Sequence, residues 1–79
     1  MASLNLLSTQ GCHLCSLAIK LLNDSGITFS IIDIVFDDQL VKHYGDKIPV
    51  LIAEDAEQAL FWPFDIQQIE QYKEHYGIS

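Results

Sequence analysis

The spacing of apolar residues near the start of the chain changes from that of a strand to that of a helix. Residues 4–7 are apolar except for one asparagine and predict a short buried strand, which the turn residues 8–11 end. From Cys12 to Asp24, polar residues recur every three or four positions, as on the solvent side of a helix. The opposite, wide apolar face comprises Leu14, Cys15, Leu17, Ala18, Ile19, Leu21 and Leu22. The pattern therefore predicts a buried Cys15 and a Cys12 at the exposed helix tip.

A second strand and a second helix are predicted next. Gly26 suits the left-handed conformation that ends a helix, and Ile27–Phe36 is rich in the β-branched and aromatic residues of strands. A strand, a helix and a strand joined by short connections form a right-handed unit, so the two strands should be parallel. Asp37 or Asp38 can then cap a short helix that Gly45 closes.

The last part of the chain predicts a hairpin followed by a helix. Lys47–Ala53 is typical of a buried strand, with a proline near its beginning, where a missing N–H is tolerated. Residues 54–57 are the expected turn into a strand over Ala59–Trp62. Asp65 and Gln68 have the spacing of a capping box. The apolar face of the last helix comprises Ile66, Ile69, Tyr72 and Tyr76. The predicted order is β-α-β-α-β-β-α.

Composition and charge limit the size and the partners of the protein. A chain of 79 residues, 49% of them hydrophobic, predicts one globular domain over residues 1–79. Eleven acidic residues against four lysines give a net charge of −7, which argues against nucleic acid and anionic membranes as partners. The N-terminus has no basic segment ahead of its apolar residues, and no apolar run approaches the roughly 18 residues of a membrane span. We expect a cytoplasmic monomer.

The candidates for chemistry are Cys12 and Cys15, which are the only two cysteines. Thiols three positions apart at the start of a helix can close a disulfide, and the unpaired N–H groups and the helix dipole favour a thiolate there. Cytoplasmic thiols are kept reduced, so a close pair is more often catalytic or metal-binding than a structural cross-link. The residues alone leave redox chemistry and half of a metal site open.

The predicted order of elements, the C-x-x-C motif that begins at Cys12 and the Ile48-Pro49-Val50 segment together resemble the thioredoxin fold in its minimal, glutaredoxin-like form. The resemblance covers nearly the whole chain. It implies an α/β fold with a four-stranded mixed sheet and three flanking helices. It also implies a cis-Pro49 that faces Cys12 and presents the backbone around Ile48 to an extended substrate.

The activity that the resemblance implies is thiol–disulfide exchange. The Cys12 thiolate attacks a substrate sulfur, and Cys15 then resolves the mixed disulfide. The substrate is expected to be a protein disulfide or a glutathione mixed disulfide. No cofactor is required, and glutathione is a possible reductant.

Further candidates for the substrate site are His13, Lys47, Trp62 and Asp65. A protonated or hydrogen-bonding His13 would stabilise the Cys12 thiolate, although an exposed histidine without a role fits its position equally well. Lys47 offers a cation to a glutathione carboxylate, and Asp65 can cap the last helix while meeting an α-amino group.

The chain departs from the glutaredoxin pattern at three places. Thr9 replaces a basic residue, Lys47 replaces a threonine, and the segment Trp62-Pro63-Phe64-Asp65 replaces a glycine pair that leads to an acidic residue. Trp62 and Phe64 cannot provide the close backbone approach of glycines, which counts against glutathione. For both aromatic residues we favour packing against the last helix over a partner-binding patch.

Two other functions remain open. One is a metal or iron–sulfur module that uses Cys12, and the other is a non-catalytic adaptor of the same fold. Cys12, Cys15 and one histidine give at most three ligands, whereas a structural zinc needs four, so no metal site is predicted. An adaptor would have thiols of ordinary reactivity and no turnover.

Overall fold

The computed structural model describes residues 3–54 and 56–77. Its elements follow the predicted order, with a short 3₁₀ helix added before the second α-helix. In chain order they are β1 (Leu4–Ser8), α1 (His13–Asp24), β2 (Ser30–Asp33), the 3₁₀ helix (Ile34–Phe36), α2 (Asp38–Tyr44), β3 (Val50–Ala53), β4 (Leu60–Phe61) and α3 (Ile66–His75). No helix in the described part of the chain is long and apolar enough to cross a membrane.

The four strands form one mixed sheet in the order β2-β1-β3-β4. β1 and β2 are parallel, whereas β3 is antiparallel to both β1 and β4. The predicted parallel unit and the mixed sheet with three α-helices are therefore confirmed. Because Leu7 lies opposite Val50, the end of β1 and the residues just before β3 meet at the same end of the sheet.

Side chains on β1 alternate between the two faces of the sheet, and each face has its own hydrophobic core. Leu4 and Leu6 belong to the larger core, whose other buried members are Ala18, Leu22, Ile27, Leu51, Ala53, Phe64, Ile69 and Tyr72. Leu7 belongs to a smaller core on the other face with Ile34 and Val50. The larger core holds α1 and α3 against the sheet, so it fixes where the first turn of α1 lies.

The second strand is shorter than the sequence predicts. β2 has four residues, in contrast to the ten of the predicted strand over Ile27–Phe36. Asp33 turns the chain out of the sheet, because its carboxylate accepts a hydrogen bond from the N–H of Val35 at 3.1 Å and caps the 3₁₀ helix. A local hydrogen bond from an aspartate side chain thus competes with the strand.

The hairpin is present, but its strands are also shorter than predicted. β3 begins after Pro49, which has no N–H to donate to a neighbouring strand, so residues 47–49 of the predicted strand are not part of it. β4 keeps two residues of the predicted Ala59–Trp62 strand. The predicted turn over residues 54–57 includes residue 55, which lies outside the described residues.

The helix ends differ in the role of glycine. Gly26 has a φ of +70°, which confirms the left-handed stop after α1. Gly45 closes α2 as predicted, but with a helical φ of −55°. A Cβ at Gly45 would lie 2.5 Å from the carbonyl oxygen of Val41, so this glycine provides space and not a left-handed turn. Of the two predicted caps, Asp37 is the one that caps α2.

Tyr72 joins α3 to the end of β3. Its hydroxyl donates a hydrogen bond to the carbonyl oxygen of Gln58 at 2.6 Å and accepts one from the N–H of Ala53 at 3.0 Å. Burial raises the pKa of the Tyr72 phenol above its ordinary value of about 10, because the charged form loses its hydration. The phenol is therefore held in its neutral, hydrogen-bonding form.

Replacing Tyr72 with phenylalanine is expected to lower the free energy of unfolding by about 1–3 kcal/mol, since the buried N–H of Ala53 loses its partner. Urea denaturation measures this loss. Tyr76→Phe is the matched control, because the Tyr76 hydroxyl accepts one bond from the exposed N–H of Gln58 at 3.1 Å, which water can replace. The control should cost less than about 0.5 kcal/mol. Equal losses in the two variants would contradict the role assigned to Tyr72.

The same phenol gives the stability a pH dependence. The native state holds the Tyr72 proton more tightly than the unfolded state, so the free energy of unfolding should fall as the pH rises above about 10. The fall should be smaller in Tyr72→Phe than in the wild type.

Candidate active site

The cysteine pair lies at the junction between β1 and α1. Gly11 has a φ of +80°, in the left-handed region that favours glycine, and it turns the chain into the helix. Cys12 is the N-cap of α1, and its Sγ accepts a hydrogen bond from the N–H of Cys15 at 3.2 Å. A disulfide joins Cys12 and Cys15, whose Cα atoms are 5.2 Å apart. The pair thus closes the disulfide that its spacing allows.

The two sulfur atoms are in different environments. Cys15 is only 1% exposed and lies on the buried side of α1 with Ala18 and Leu22, as predicted. Cys12 is partly exposed and lies at the positive end of the α1 dipole. An incoming sulfur can therefore reach Cys12, whereas Cys15 is covered by the protein.

Pro49 lies at the same end of the sheet as the cysteine pair. It is fully buried, and its carbonyl oxygen accepts a hydrogen bond from the N–H of Trp62 at 3.3 Å. The peptide bonds before Pro49 and before Pro63 are both cis. Ile48, which precedes Pro49, is partly buried against the smaller core. The structure therefore brings the Ile48-Pro49 segment and the start of α1 to one edge of the fold.

A first cavity of about 400 Å³ lies beside this segment. It is lined by Leu14, Asp46, Lys47, Ile48, Phe61 and Trp62. Three of the predicted site residues, Lys47, Ile48 and Trp62, are thus brought together. Lys47 is not a lone cation, because its Nζ lies 3.7 Å from Oδ1 of Asp46. This neighbouring carboxylate weakens the electrostatic attraction between Lys47 and an anionic ligand.

A second cavity of about 430 Å³ lies further along α1. It is lined by Leu17, Lys20, Leu21, Asp24, Trp62, Phe64 and Asp65. The structure therefore separates Asp65 from Lys47, and Trp62 is the residue that borders both cavities. Asp65 is the N-cap of α3, where its Oδ1 accepts a hydrogen bond from the N–H of Gln68 at 2.8 Å. The side-chain oxygen of Gln68 accepts a hydrogen bond from the N–H of Asp65 at 3.0 Å, so the predicted capping box is confirmed.

His13 is exposed at the first position of α1 and is not among the residues that line the two cavities. His13 directly follows Cys12 in the chain. Its stabilisation of the Cys12 thiolate stays a prediction.

The two aromatic residues before α3 have different surroundings. Phe64 is buried in the larger core, as favoured from the sequence. Trp62 packs edge-on against Phe64, with the ring centroids 5.1 Å apart, but it is only partly buried. One side of its indole supports the core, and the remainder is available to the cavities.

Leu14 and Leu17 belong to the apolar face predicted for α1, but both are exposed. They are 45% and 43% exposed, because the core covers only the narrower side that contains Cys15, Ala18 and Leu22. Phe61, which is 45% exposed, was assigned only to a strand. The exposure of part of α1 could have been inferred from the width of its apolar face, because a helix that packs on one side cannot bury so wide a face.

Within residues 3–54 and 56–77, no three His, Cys, Asp or Glu side chains lie close enough together to hold a metal ion.

Comparisons with known proteins give a family and two similar structures. The family model described as Glutaredoxin-like domain (DUF836) matches residues 3–72. The X-ray structure of the structural genomics target protein XcR50 from X. campestris is 30% identical, with 92% of this chain and 97% of that chain covered and a TM-score of 0.79. The solution NMR structure of protein Ne2328 from Nitrosomonas europaea is 29% identical, with coverage of 90% and 89% and a TM-score of 0.71. No curated protein matches the chain.

Proposed function

The chain belongs to the family of glutaredoxin-like domains, and we propose that it is a thiol–disulfide oxidoreductase in which Cys12 is the nucleophile and Cys15 the resolving thiol. The observation that carries the proposal is the unequal exposure of two cysteines that form a disulfide at the start of α1. A cross-link with only a structural role gains nothing from one accessible sulfur at a helix N-terminus. A redox pair requires that accessibility.

The reaction has two exchange steps. In the reduced protein the Cys12 thiolate attacks one sulfur of a substrate disulfide, and the other substrate sulfur leaves as a thiolate that takes a proton from water. Cys15 then loses its proton to water and attacks Sγ of Cys12, which releases the second substrate sulfur as a thiolate. The substrate gains two electrons, and the protein ends as the Cys12–Cys15 disulfide. A thiol reductant, for which glutathione is a candidate, must reduce that disulfide before the next turnover.

The backbone at the start of α1 stabilises the attacking form of Cys12. The N–H of Cys15 already points at Sγ of Cys12 in the disulfide state, at 3.2 Å. In the reduced state the same N–H donates to a thiolate, which is a stronger acceptor than a disulfide sulfur. The N-terminal end of the helix dipole acts in the same direction. His13 would add to this effect if it carries a proton.

A protein disulfide suits the site better than a small glutathione disulfide. Lys47 is paired with Asp46, and the chain carries a net charge of −7, so the surface repels the anionic tripeptide. Phe61 and Trp62 line the first cavity and favour apolar contact. On the basis of the family resemblance, we assign to Ile48 and Pro49 the role of presenting their backbone to an extended substrate segment.

The proposal predicts a reduction potential typical of a redox-active pair. Equilibration of the protein in glutathione redox buffers should give one two-electron transition, at a potential between roughly −270 and −180 mV. The measurement is the fraction of protein whose Cys12 and Cys15 resist alkylation at each buffer ratio. Cys15→Ser is the control and should show no intramolecular transition.

A potential far outside this span, or a pair that never forms the disulfide in solution, would count against the oxidoreductase and in favour of a metal-binding module or an adaptor. The absorption spectrum of freshly purified protein then distinguishes these two, because an iron–sulfur cluster absorbs visible light.

A further inference from the structure

An apolar stripe on α1 starts inside the C-x-x-C motif and runs away from it. Leu14, Leu17 and Leu21 are three and four positions apart, so they lie on one side of the helix. Leu14 and Leu17 are neighbours on this side of the helix, three positions apart, and they are 45% and 43% exposed. The stripe therefore offers exposed apolar side chains from two residues after the reactive Cys12 onwards.

Two leucines of the stripe form one wall of the second cavity, and aromatic residues form the other wall. Leu17 and Leu21 lie on the α1 side, and Trp62 and Phe64 lie on the side that leads to α3. The volume of about 430 Å³ is within the roughly 300–1,000 Å³ of pockets that bind small molecules. Four apolar side chains around a cavity of this size fit a large apolar side chain of a partner.

The charges at the cavity favour a neutral or basic partner over an anionic one. Lys20 is paired with Asp24, with Nζ and Oδ2 separated by 3.3 Å, and Asp65 adds a second carboxylate. In the first cavity Lys47 is paired with Asp46 in the same way. The two cavities together carry three carboxylates and two lysines, with the excess carboxylate at the second cavity, so a segment rich in aspartate or glutamate would be repelled there.

The position of the second cavity fixes the spacing, along the substrate, between the apolar residue that it would bind and the substrate cysteine that reacts with Cys12. Leu17 and Leu21 follow Cys12 by five and nine residues, which is about 7.5 and 13.5 Å along a helix that rises 1.5 Å per residue. An extended segment advances about 3.3 Å per residue. The distance therefore corresponds to about two to four residues of substrate.

We propose that the second cavity is a subsite for a large apolar side chain of an extended protein substrate, two to four residues from the cysteine that reacts with Cys12. This inference rests on the proposed exchange activity. It adds a determinant of substrate choice that lies outside the cysteine pair and the Pro49 segment, and it makes Leu17 a specificity residue.

Synthetic peptides test the subsite directly. Each peptide is an acetylated serine–glycine nonamer with a central cysteine, held as a mixed disulfide with nitrothiobenzoate, and one phenylalanine is placed at each other position in turn. Reduced protein attacks the peptide sulfur and releases the coloured nitrothiobenzoate thiolate, whose absorbance gives the rate. Phenylalanine two to four residues from the cysteine, on one side, should raise the rate about tenfold over the phenylalanine-free peptide.

Leu17→Gln and Val41→Gln are matched variants for this experiment. Leu17 and Val41 are both helical residues that are 43% exposed, but Val41 lies on α2 and lines neither cavity. The ratio of rates with and without phenylalanine should fall to about one in Leu17→Gln. In Val41→Gln both rates and their ratio should match the wild type.

Fluorescence of Trp62, the only tryptophan, gives a second readout. In Cys15→Ser the peptide stays attached to Cys12, and the phenylalanine peptide should shift the emission to shorter wavelength than the phenylalanine-free peptide does. The same shift should be absent when Leu17→Gln is added.

Three results would overturn the subsite. If the wild type reacts with the phenylalanine-free peptide but no phenylalanine position increases the rate, the subsite is excluded while the oxidoreductase proposal stands. If Leu17→Gln keeps the preference as Val41→Gln does, the preference arises elsewhere on the protein. If the wild type reacts with none of the peptides, the oxidoreductase proposal fails and the subsite fails with it.

Discussion

Replacing Cys12 with serine is expected to lower the rate of disulfide reduction by at least about 10³-fold. A serine hydroxyl stays protonated near neutral pH, and the hydrogen bond that reaches the side chain of residue 12 comes from the backbone N–H of Cys15, which cannot act as a base. Cys15 cannot take over the attack, because it is only 1% exposed. The measurement is the release of nitrothiobenzoate from a peptide disulfide under single-turnover conditions. A residual rate within about tenfold of the wild type would contradict the assignment of Cys12 as nucleophile.

Alkylation of the reduced protein tests the same assignment without a substitution. Iodoacetamide should modify Cys12 before Cys15, and the rate should follow the titration of a thiol with a pKa below the ordinary cysteine value of about 8.5. The cause is the helix N-terminus together with the N–H of Cys15 that points at Sγ of Cys12. Mass spectrometry of the digested protein gives the two rates separately. Faster modification of Cys15 would show that the register assigned to α1 is wrong in the reduced protein.

The order of elements could be predicted because each element has a local signal. Asp65 and Gln68 form the capping box that their spacing predicts, and Gly26 has the left-handed conformation expected of it. Strand lengths could not be predicted in the same way, because pairing decides them. Ile27–Phe36 has strand composition throughout, but only four of its residues pair with β1 before Asp33 turns the chain.

The features of the candidate site that depend only on the helical period of α1 could be predicted from the sequence. Cys15 is buried because it shares a side of α1 with Ala18 and Leu22. The exposure of Leu14 and Leu17 could not be predicted, since a hydrophobic pattern gives the width of an apolar face but not the part that other elements cover. The position of Trp62 between two cavities depends on how α1 and α3 pack, which no local pattern records.

Replacing Cys15 with serine is expected to stop the reaction after the first exchange and to leave the substrate attached to Cys12. The attached molecule is expected to be chiefly protein and not glutathione, because Trp62, which lines the first cavity, belongs to the segment that replaces the glycines that would admit the tripeptide backbone. The net charge of −7 acts in the same direction. Non-reducing electrophoresis of an extract treated with this variant, followed by mass spectrometry, identifies the adducts. The variant that lacks both cysteines is the control for association without a covalent bond.

A charge variant separates the electrostatic part of this preference from the steric part. Asp46→Asn removes the carboxylate beside Lys47, so it should increase the rate of reaction with a glutathione mixed disulfide by about two- to fivefold at low salt. Glu70→Gln makes the same change in net charge on the exposed side of α3 and should leave that rate nearly unchanged. Recovery of mainly glutathionylated Cys12 from the extract, together with fast reduction of the glutathione mixed disulfide by the wild type, would reverse the preference. The protein would then act as an ordinary glutaredoxin, with Lys47 binding the tripeptide despite its acidic neighbour.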